Sequence, residues 1–353
     1  MRLPIVVGAP PGMRAGAVAD LLSRDHDVLR TADVASALRE CRRLRAAAAV
    51  LPYPSGAEAE LLCFLRESGR RTAVFLCAEA GAPPPDSAAR ALAAGPGGVL
   101  DASAPDFADE LCRRLARLAR ERRRRAEEDE ALAALFARFD LAGSSPAMRD
   151  VFRRALKATQ FTDLPVLIEG ARGTPKRRLV SALLHLDPAR VRTPFFALDG
   201  RDVGRRLGRP GGESWQGLLR AGRGGTVFLD HVEALGGEWQ RALAAAICRG
   251  AAGLRLIAAT ERPAEELVRE GALDAELSMG LSLFRIPLPS LRGRPEDVAA
   301  QAHLALCGAA AEGATAVKGF EAGVLDRLGR LPWEGNTAEL ESLLRPALAA
   351  AAG

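Results

Sequence analysis

The stretch that decides the fold is VLIEGARGTPKRRLVSALLH, Val166 to His185. An apolar run of strand type, VLIE, leads into a glycine-bearing turn, then a lysine, then a segment with helical periodicity. Strand, glycine turn, Lys and helix in that order form a phosphate-binding loop, in which successive backbone N–H groups converge on an anion at a helix N-terminus. Gly170, Gly173, Thr174 and Lys176 fit that pattern and are the candidate nucleotide-binding residues of the loop. Pro175 departs from it. The residue before the lysine should supply a donor, and proline has none. Losing one bond to a charged group removes about 1.5–3 kcal/mol. Proline also starts a helix well, so it keeps the fold while weakening the site. Arg177 stands where such loops carry Ser or Thr, which removes a simple hydroxyl ligand for magnesium.

Outward from this loop the chain alternates strand-like and helix-like segments. VLIEG (166–170), FFALDG (195–200), GTVFLD (225–230) and LRLIAAT (254–260) read as buried strands with helices between them, and after 283–298 the pattern is helical to the end. Ser145 before Pro146 suits a helix N-cap followed by proline at the first helical position. Toward the N-terminus, segments 3–9, 46–53, 72–78 and 97–102 read as strands, with helices at 14–23, 33–43, 57–68 and 86–94 and a loop at 82–86. Such alternation argues for parallel sheets covered on both faces. Residues 107–139 form one long helical pattern. Leu111, Leu115, Leu118, Leu132, Leu135, Phe136 and Phe139 mark an apolar seam, and Arg120 to Arg125 precede Glu127 to Glu130, four apart and able to pair. A dimer seam and a solvated linker are equally open readings of this helix.

Composition bounds the class. With 353 residues, two domains and a linker are expected. Apolar residues at 48% suffice for sizeable cores, and 26% charged residues exclude broad disorder. A net charge of +5 is weak evidence for nucleic acid. Six cysteines without a CxxC pair and four histidines argue against zinc and for reduced, buried thiols in a cytoplasmic protein. No stretch reaches the roughly 20 apolar residues of a membrane span, and the N-terminal apolar run is too short for a signal sequence.

GSSPAMRDVF, VLIEGARGTPK, GGTVFLDHVEAL, LIAATER, IPLPSLRGRPEDV and LPWEGNTAELESLL occur in order. Together they resemble the AAA+ domain of bacterial sigma-54-dependent activators of the NtrC type, over roughly residues 141–350. Members often carry an N-terminal receiver domain, which suits residues 1–110. The resemblance implies a receiver-like doubly wound sheet at 1–106, a linker helix at 107–140, a P-loop α/β subdomain at 141–290 and a small helical lid at 291–353.

It also implies a site, and this chain departs from it repeatedly. Asp230 matches the acid that holds magnesium. The water-orienting Glu that follows is His231, with Glu233 on the same face if the strand continues. The sensor Asn is Glu261. Asp274 and Gly280 fall where a pair of arginines would reach a neighbouring subunit, a type of contact worth about 10³–10⁵ in rate. Ala338 stands where a phosphate-sensing Arg would be. The sigma-54 contact loop has no counterpart in 199–225, a Gly- and Arg-rich interval expected to be a surface loop. In the receiver-like part, Gly8 and Ala9 replace the acidic pair, Leu51 and Pro52 replace the acceptor Asp, and Cys77 and Ala102 replace the hydroxyl and lysine.

The expectation is a non-catalytic regulator that works through protein contacts: with an active AAA+ activator, the sigma-54 machinery or a kinase, with no direct DNA-binding domain, no membrane association, and at most a dimer through 107–139. No cofactor is required. Weak ATP or ADP binding through Gly170, Gly173, Thr174, Lys176 and Asp230 stays open, as does residual ATPase activity. In the plainest alternative, Lys176 and Asp230 only pair with each other or face water.

Overall fold

The computed structural model describes residues 2–9, 14–53, 58–68, 71–78, 97–250, 253–311 and 317–350. The expected helix 86–94 and loop 82–86 lie outside them. Backbone contacts divide the chain into two units, Met1–Glu127 and Glu128–Gly353.

The first unit is a five-stranded parallel sheet, β1 (Pro4–Gly8), β2 (Asp27–Thr31), β3 (Ala48–Tyr53), β4 (Ala73–Ala78) and β5 (Gly98–Asp101), in the order β2-β1-β3-β4-β5. This is the flavodoxin-like doubly wound order. Because side chains alternate across a strand, each central strand feeds two cores. Leu3, Ile5, Val7, Ala48, Val50, Ala73, Phe75 and Cys77 join one, while Val6, Ala49, Leu51, Val74 and Leu76 join the other. Helices α1 (Arg14–Leu22), α2 (Val34–Leu44) and α3 (Glu58–Ser68) follow the first three strands. Strand β2, DVLRT, was not expected: it lies at the sheet edge, and with only two apolar residues its pattern is that of a surface strand.

Helix α4 (Phe107–Ala137) runs from one unit into the other. Its apolar residues are used within the units. Phe107, Leu111, Leu115 and Leu118 pack in a core of the first, and Phe136, flanked by Leu132 and Ala133, packs in a core of the second. Between them Arg123 pairs with Glu127 at 2.9 Å, the expected i,i+4 contact. Arg122 turns inward to donate to Ala47 O and Arg71 O, which fastens the helix to the first unit.

The second unit holds β6 (Val166–Glu169), β7 (Phe195–Asp199), β8 (Thr226–Asp230), β9 (Arg255–Thr260) and β10 (Phe284–Pro287), all parallel, in the order β10-β6-β9-β8-β7. Helix α5 (Pro146–Ala158) begins as the sequence predicts, with the Ser145 side chain accepting from Met148 N and Pro146 at the first position. It packs with α6 (Lys176–His185) on one face of the sheet. The interval 199–225, expected as a loop, instead contains α7 (Val203–Leu207) and α8 (Glu213–Ala221). On the other face lie α9 (Gly237–Cys248), α10 (Ala264–Arg269) and α11 (Ala275–Leu281). The chain continues through 3-10 turns at Leu291–Gly293 and Pro295–Asp297 into a helical subdomain of α12 (Val298–Ala311), α13 (Val324–Gly329) and α14 (Asn336–Ala350). Its core is Leu291, Val298, Ala302, Leu306, Leu328, Trp333, Leu340, Leu344 and Leu348. Among the described residues no helix is long and apolar enough to cross a membrane.

Candidate functional site

The loop after β6 and the helical subdomain enclose a polar cleft of about 520 Å³. The floor is Gly173 to Arg178, one wall is Asp230, His231 and Glu261, and the rim carries Arg201, Ala338 and Glu341. The candidate residues Gly173, Thr174, Lys176 and Asp230 all line it. Gly170 lies just beneath, its N–H donating to Thr260 O at 3.1 Å.

The loop is closed upon itself. Thr174 donates to Ala171 O through both its N–H (3.1 Å) and its hydroxyl (2.7 Å). Pro175 sits at φ −79°, ψ 51°, and the Lys176 N–H donates to Thr174 O at 2.8 Å. This is an inverse γ-turn centred on the proline. Three consecutive positions are therefore withdrawn from an anion: Thr174 and Lys176 give their N–H groups to the loop's own carbonyls, and Pro175 has none. The proline does more than delete one donor, because its turn redirects the next.

The Lys176 side chain follows. Its ammonium, on a residue only 6% exposed, donates to Gly170 O at 2.7 Å and Ala171 O at 3.4 Å. Burial holds it below the ordinary lysine value, against the pull of Glu261, Asp230 and Glu233. Lys176 and Asp230 do not bond to each other, which was one form of the plainest alternative. Asp230 instead accepts from Arg177 Nε at 3.3 Å. Strand β8 carries Asp230 into the cleft, and the long arginine at the first turn of α6 reaches it where the short lysine bond to Gly170 cannot.

The wall beyond Asp230 is a charge network. Strand β8 ends at Asp230, and His231 adopts a left-handed backbone at φ 54° before the 3-10 turn Val232–Ala234. The strand does not continue, so Glu233 leaves the face of His231 and accepts from Glu261 N at 3.2 Å. Arg201 donates toward His231 Nδ1 at 3.2 Å, and His231 Nε2 faces Glu261 Oε1 at 3.4 Å. His231 Nδ1 also lies 3.5 Å from Asp199 and 3.7 Å from Asp230, so the ring is held among three carboxylates and one guanidinium. Arg201 also holds Asp199 at 2.7 Å, and that bond keeps the Asp199 carboxyl down at about 2.

These residues do not fit a magnesium nucleotide. The carboxylate that would hold the cation is paired with a guanidinium, and no hydroxyl stands at position 177. Asp230 Oδ1 is buried without a partner, an acceptor next to His231 Nδ1 at 3.7 Å. Among the described residues no group of three or more His, Cys, Asp or Glu is placed to hold a metal ion.

The other substituted positions have structural work. Asp274 caps α11 by accepting from Leu277 N at 3.0 Å, and its own N–H donates to Gln240 at 2.6 Å. Gly280 faces Ile247, which a Cβ there would meet at 3.2 Å. In the first unit, Gly8 ends β1, Leu51 and Pro52 lie inside β3, and Cys77 and Ala102 are fully buried, so apolar or small residues occupy positions where the resemblance implies acidic and basic groups.

Comparison with known proteins agrees with this architecture. Residues 142–291 match the family described as "Sigma-54 interaction domain". The chain is 33% identical over 228 residues to the DNA-binding transcriptional regulator NtrC of Azospirillum brasilense, covering 58% of this chain and 47% of that protein. It is 32% identical over 237 residues to NtrC of Escherichia coli (strain K12), covering 61% and 50%. It is 30% identical over 236 residues to the Nif-specific regulatory protein of Rhodobacter capsulatus, covering 60% and 40%. The chain thus spans about half the length of the curated relatives it matches. The crystal structure of NtrX from Brucella abortus in complex with ADP superposes with a TM-score of 0.54 at 21% identity, covering 100% of this chain and 83% of that one, which shows a shared fold. Residues 142–291 are thus similar to sigma-54 interaction domains, and about 60% of the chain is similar to NtrC-type regulators.

Proposed function

We infer that this chain is a regulator of the sigma-54 activator type that does not hydrolyse ATP and acts through protein–protein contacts in transcriptional control, in the cytoplasm. The observation that carries the reading is the Pro175 turn, which commits the Thr174 and Lys176 N–H groups to the loop itself. The rest is consistent with it: Lys176 on loop carbonyls, Arg177 on Asp230, His231 where the resemblance implies a water-orienting Glu, and Asp274, Gly280 and Ala338 at positions where it implies arginines. The first unit supports the same view, as a pseudo-receiver without the acids that would accept a phosphoryl group. A fold maintained without its chemistry serves as a docking surface, and the partner classes that fit are an active AAA+ activator, the sigma-54 machinery or a kinase.

A second reading has one observation in its favour. The cleft stays open and is lined by Gly173, Thr174, Lys176 and Asp230; NtrX, a structural neighbour, has been crystallised with ADP and with ATP. On this reading the chain is a divergent regulator that binds nucleotide, with residual turnover. Calorimetric titration with ADP and ATP in the presence of magnesium separates the two. The first expects no saturable heat up to millimolar nucleotide. Saturable binding that disappears in Lys176→Ala would establish the second.

A further inference from the structure

The helical subdomain meets the loop directly. Gly173 has φ +77°, and a Cβ on it would lie 2.0 Å from Gly335 O, so the two backbones touch at a point only glycine permits. Around that point three further contacts cross. The Ala338 N–H donates to Gly173 O at 3.2 Å. The Asn336 side chain donates to Arg172 O at 2.8 Å while accepting from Leu291 N at 2.8 Å. The Arg178 guanidinium grips Glu341 through both carboxylate oxygens, one of them at 2.8 Å. The first turn of a helix leaves N–H donors without intrahelical partners, and the N-terminus is electropositive. Here the first turn of α14 turns that end toward the carbonyls of Arg172 and Gly173.

We propose that these contacts are a built-in latch, in which Arg178–Glu341 and the Gly173–Ala338 bond fix the helical subdomain against the loop. The bidentate pair is the part specific to side chains. Each group is about one-third exposed, at 34% and 29%, so the pair is screened only in part, and its fork geometry fixes orientation as well as distance. The consequence is a subdomain whose position is set by sequence rather than by ligand, which presents one fixed surface to a partner. The latch deepens the reading of the cleft given above and rests on it for its purpose, though not for its contacts.

The test is amide hydrogen exchange on the full chain, read at Ala338 and across 170–176, with the lid-core amides of Leu340 and Leu344 as internal reference. Glu341→Gln, which keeps shape and removes charge, should speed exchange at Ala338 about tenfold, the scale of a coupled pair. Arg178→Gln should do the same, and the double variant should be no faster than either single one. Gly173→Ala gives the same loss from the backbone side, read as acceleration at Ala338 beyond that at Leu340 and Leu344, because it also destabilises the second unit as a whole. Millimolar MgADP should leave wild-type exchange at Ala338 unchanged. Unchanged exchange in Glu341→Gln and Gly173→Ala overturns the latch. So does equal acceleration at Ala338, Leu340 and Leu344, which would assign the pair to general stability. Slowing by MgADP of tenfold or more would show closure to be ligand-driven and also overturns it. ATP turnover measured in the same samples would overturn the reading of the previous subsection and leave this one standing.

Discussion

Replacing Pro175 with Gly should return two donors to the loop. The first is the N–H at position 175 itself. The second is that of Lys176, now tied to Thr174 O at 2.8 Å by the γ-turn that proline's fixed φ favours. A hydrogen bond to a charged group contributes about 1.5–3 kcal/mol, so two give roughly 3–6 kcal/mol as a ceiling. Against this stand about 1 kcal/mol for the added chain entropy of glycine and about 1.5–3 kcal/mol for lifting Lys176 off Gly170 O. A net gain of about 0.5–2 kcal/mol is left, which is roughly 2- to 30-fold in affinity. Isothermal calorimetry with MgADP on wild type and Pro175→Gly reads it directly, and differential scanning calorimetry checks that the variant stays folded. A folded variant that binds no better than wild type would refute the proposal that the proline turn withholds the loop's donors from a nucleotide.

Three further outcomes follow from particular contacts. Arg201→Ala should move the Asp199 carboxyl upward from about 2 toward the ordinary value near 4. Because the folded value is depressed, the stabilisation in wild type is present above about pH 4 and disappears as pH falls toward 2, so the variant should lose part of the acid-side slope of unfolding; a carbon-detected NMR titration that finds Asp199 unmoved would count against the pairing. Gly173→Ala forces a side chain into a left-handed backbone, about 1–2 kcal/mol before its contact with Gly335 is counted, and should lower the midpoint of the second unit by roughly 4 °C or more. Arg255 and Asp187 are both fully buried and bonded at 2.6 Å; Arg255→Met strands the carboxylate and should cost about 3–5 kcal/mol in urea unfolding, whereas a cost under about 1 kcal/mol would contradict the pairing.

The sheets were legible because their strands are buried on both faces and read as continuous apolar runs. Segments such as 46–53 and 254–260 show this, and the strands found there, Ala48–Tyr53 and Arg255–Thr260, lie within a residue or two of them. The two strands that escaped, Asp27–Thr31 and Phe284–Pro287, are edge strands; the first is polar and the second ends in proline. In the cleft, the missing donor of Pro175 was legible because it is a property of one residue. The γ-turn was not, since it depends on where the Lys176 N–H finds an acceptor. Whether Lys176 and Asp230 pair or face water was open in the sequence, because the choice between Gly170 O and a carboxylate is made by a few ångströms of side-chain reach. The Arg201–Asp199–His231–Glu261 network joins three strand ends that lie far apart in sequence, and no spacing announces it. Gly173 was assigned to the phosphate loop. Its contact with Gly335, 162 residues on, became visible only with the chain folded.

The central claim is that the phosphate-binding loop survives as architecture without turnover. Its most direct test is steady-state ATP hydrolysis at millimolar MgATP by the full chain, run beside Lys176→Ala purified identically. Rates equal to one another and to the buffer background are the result expected here. Wild-type turnover above background that Lys176→Ala abolishes would contradict it and return the chain to the working ATPases.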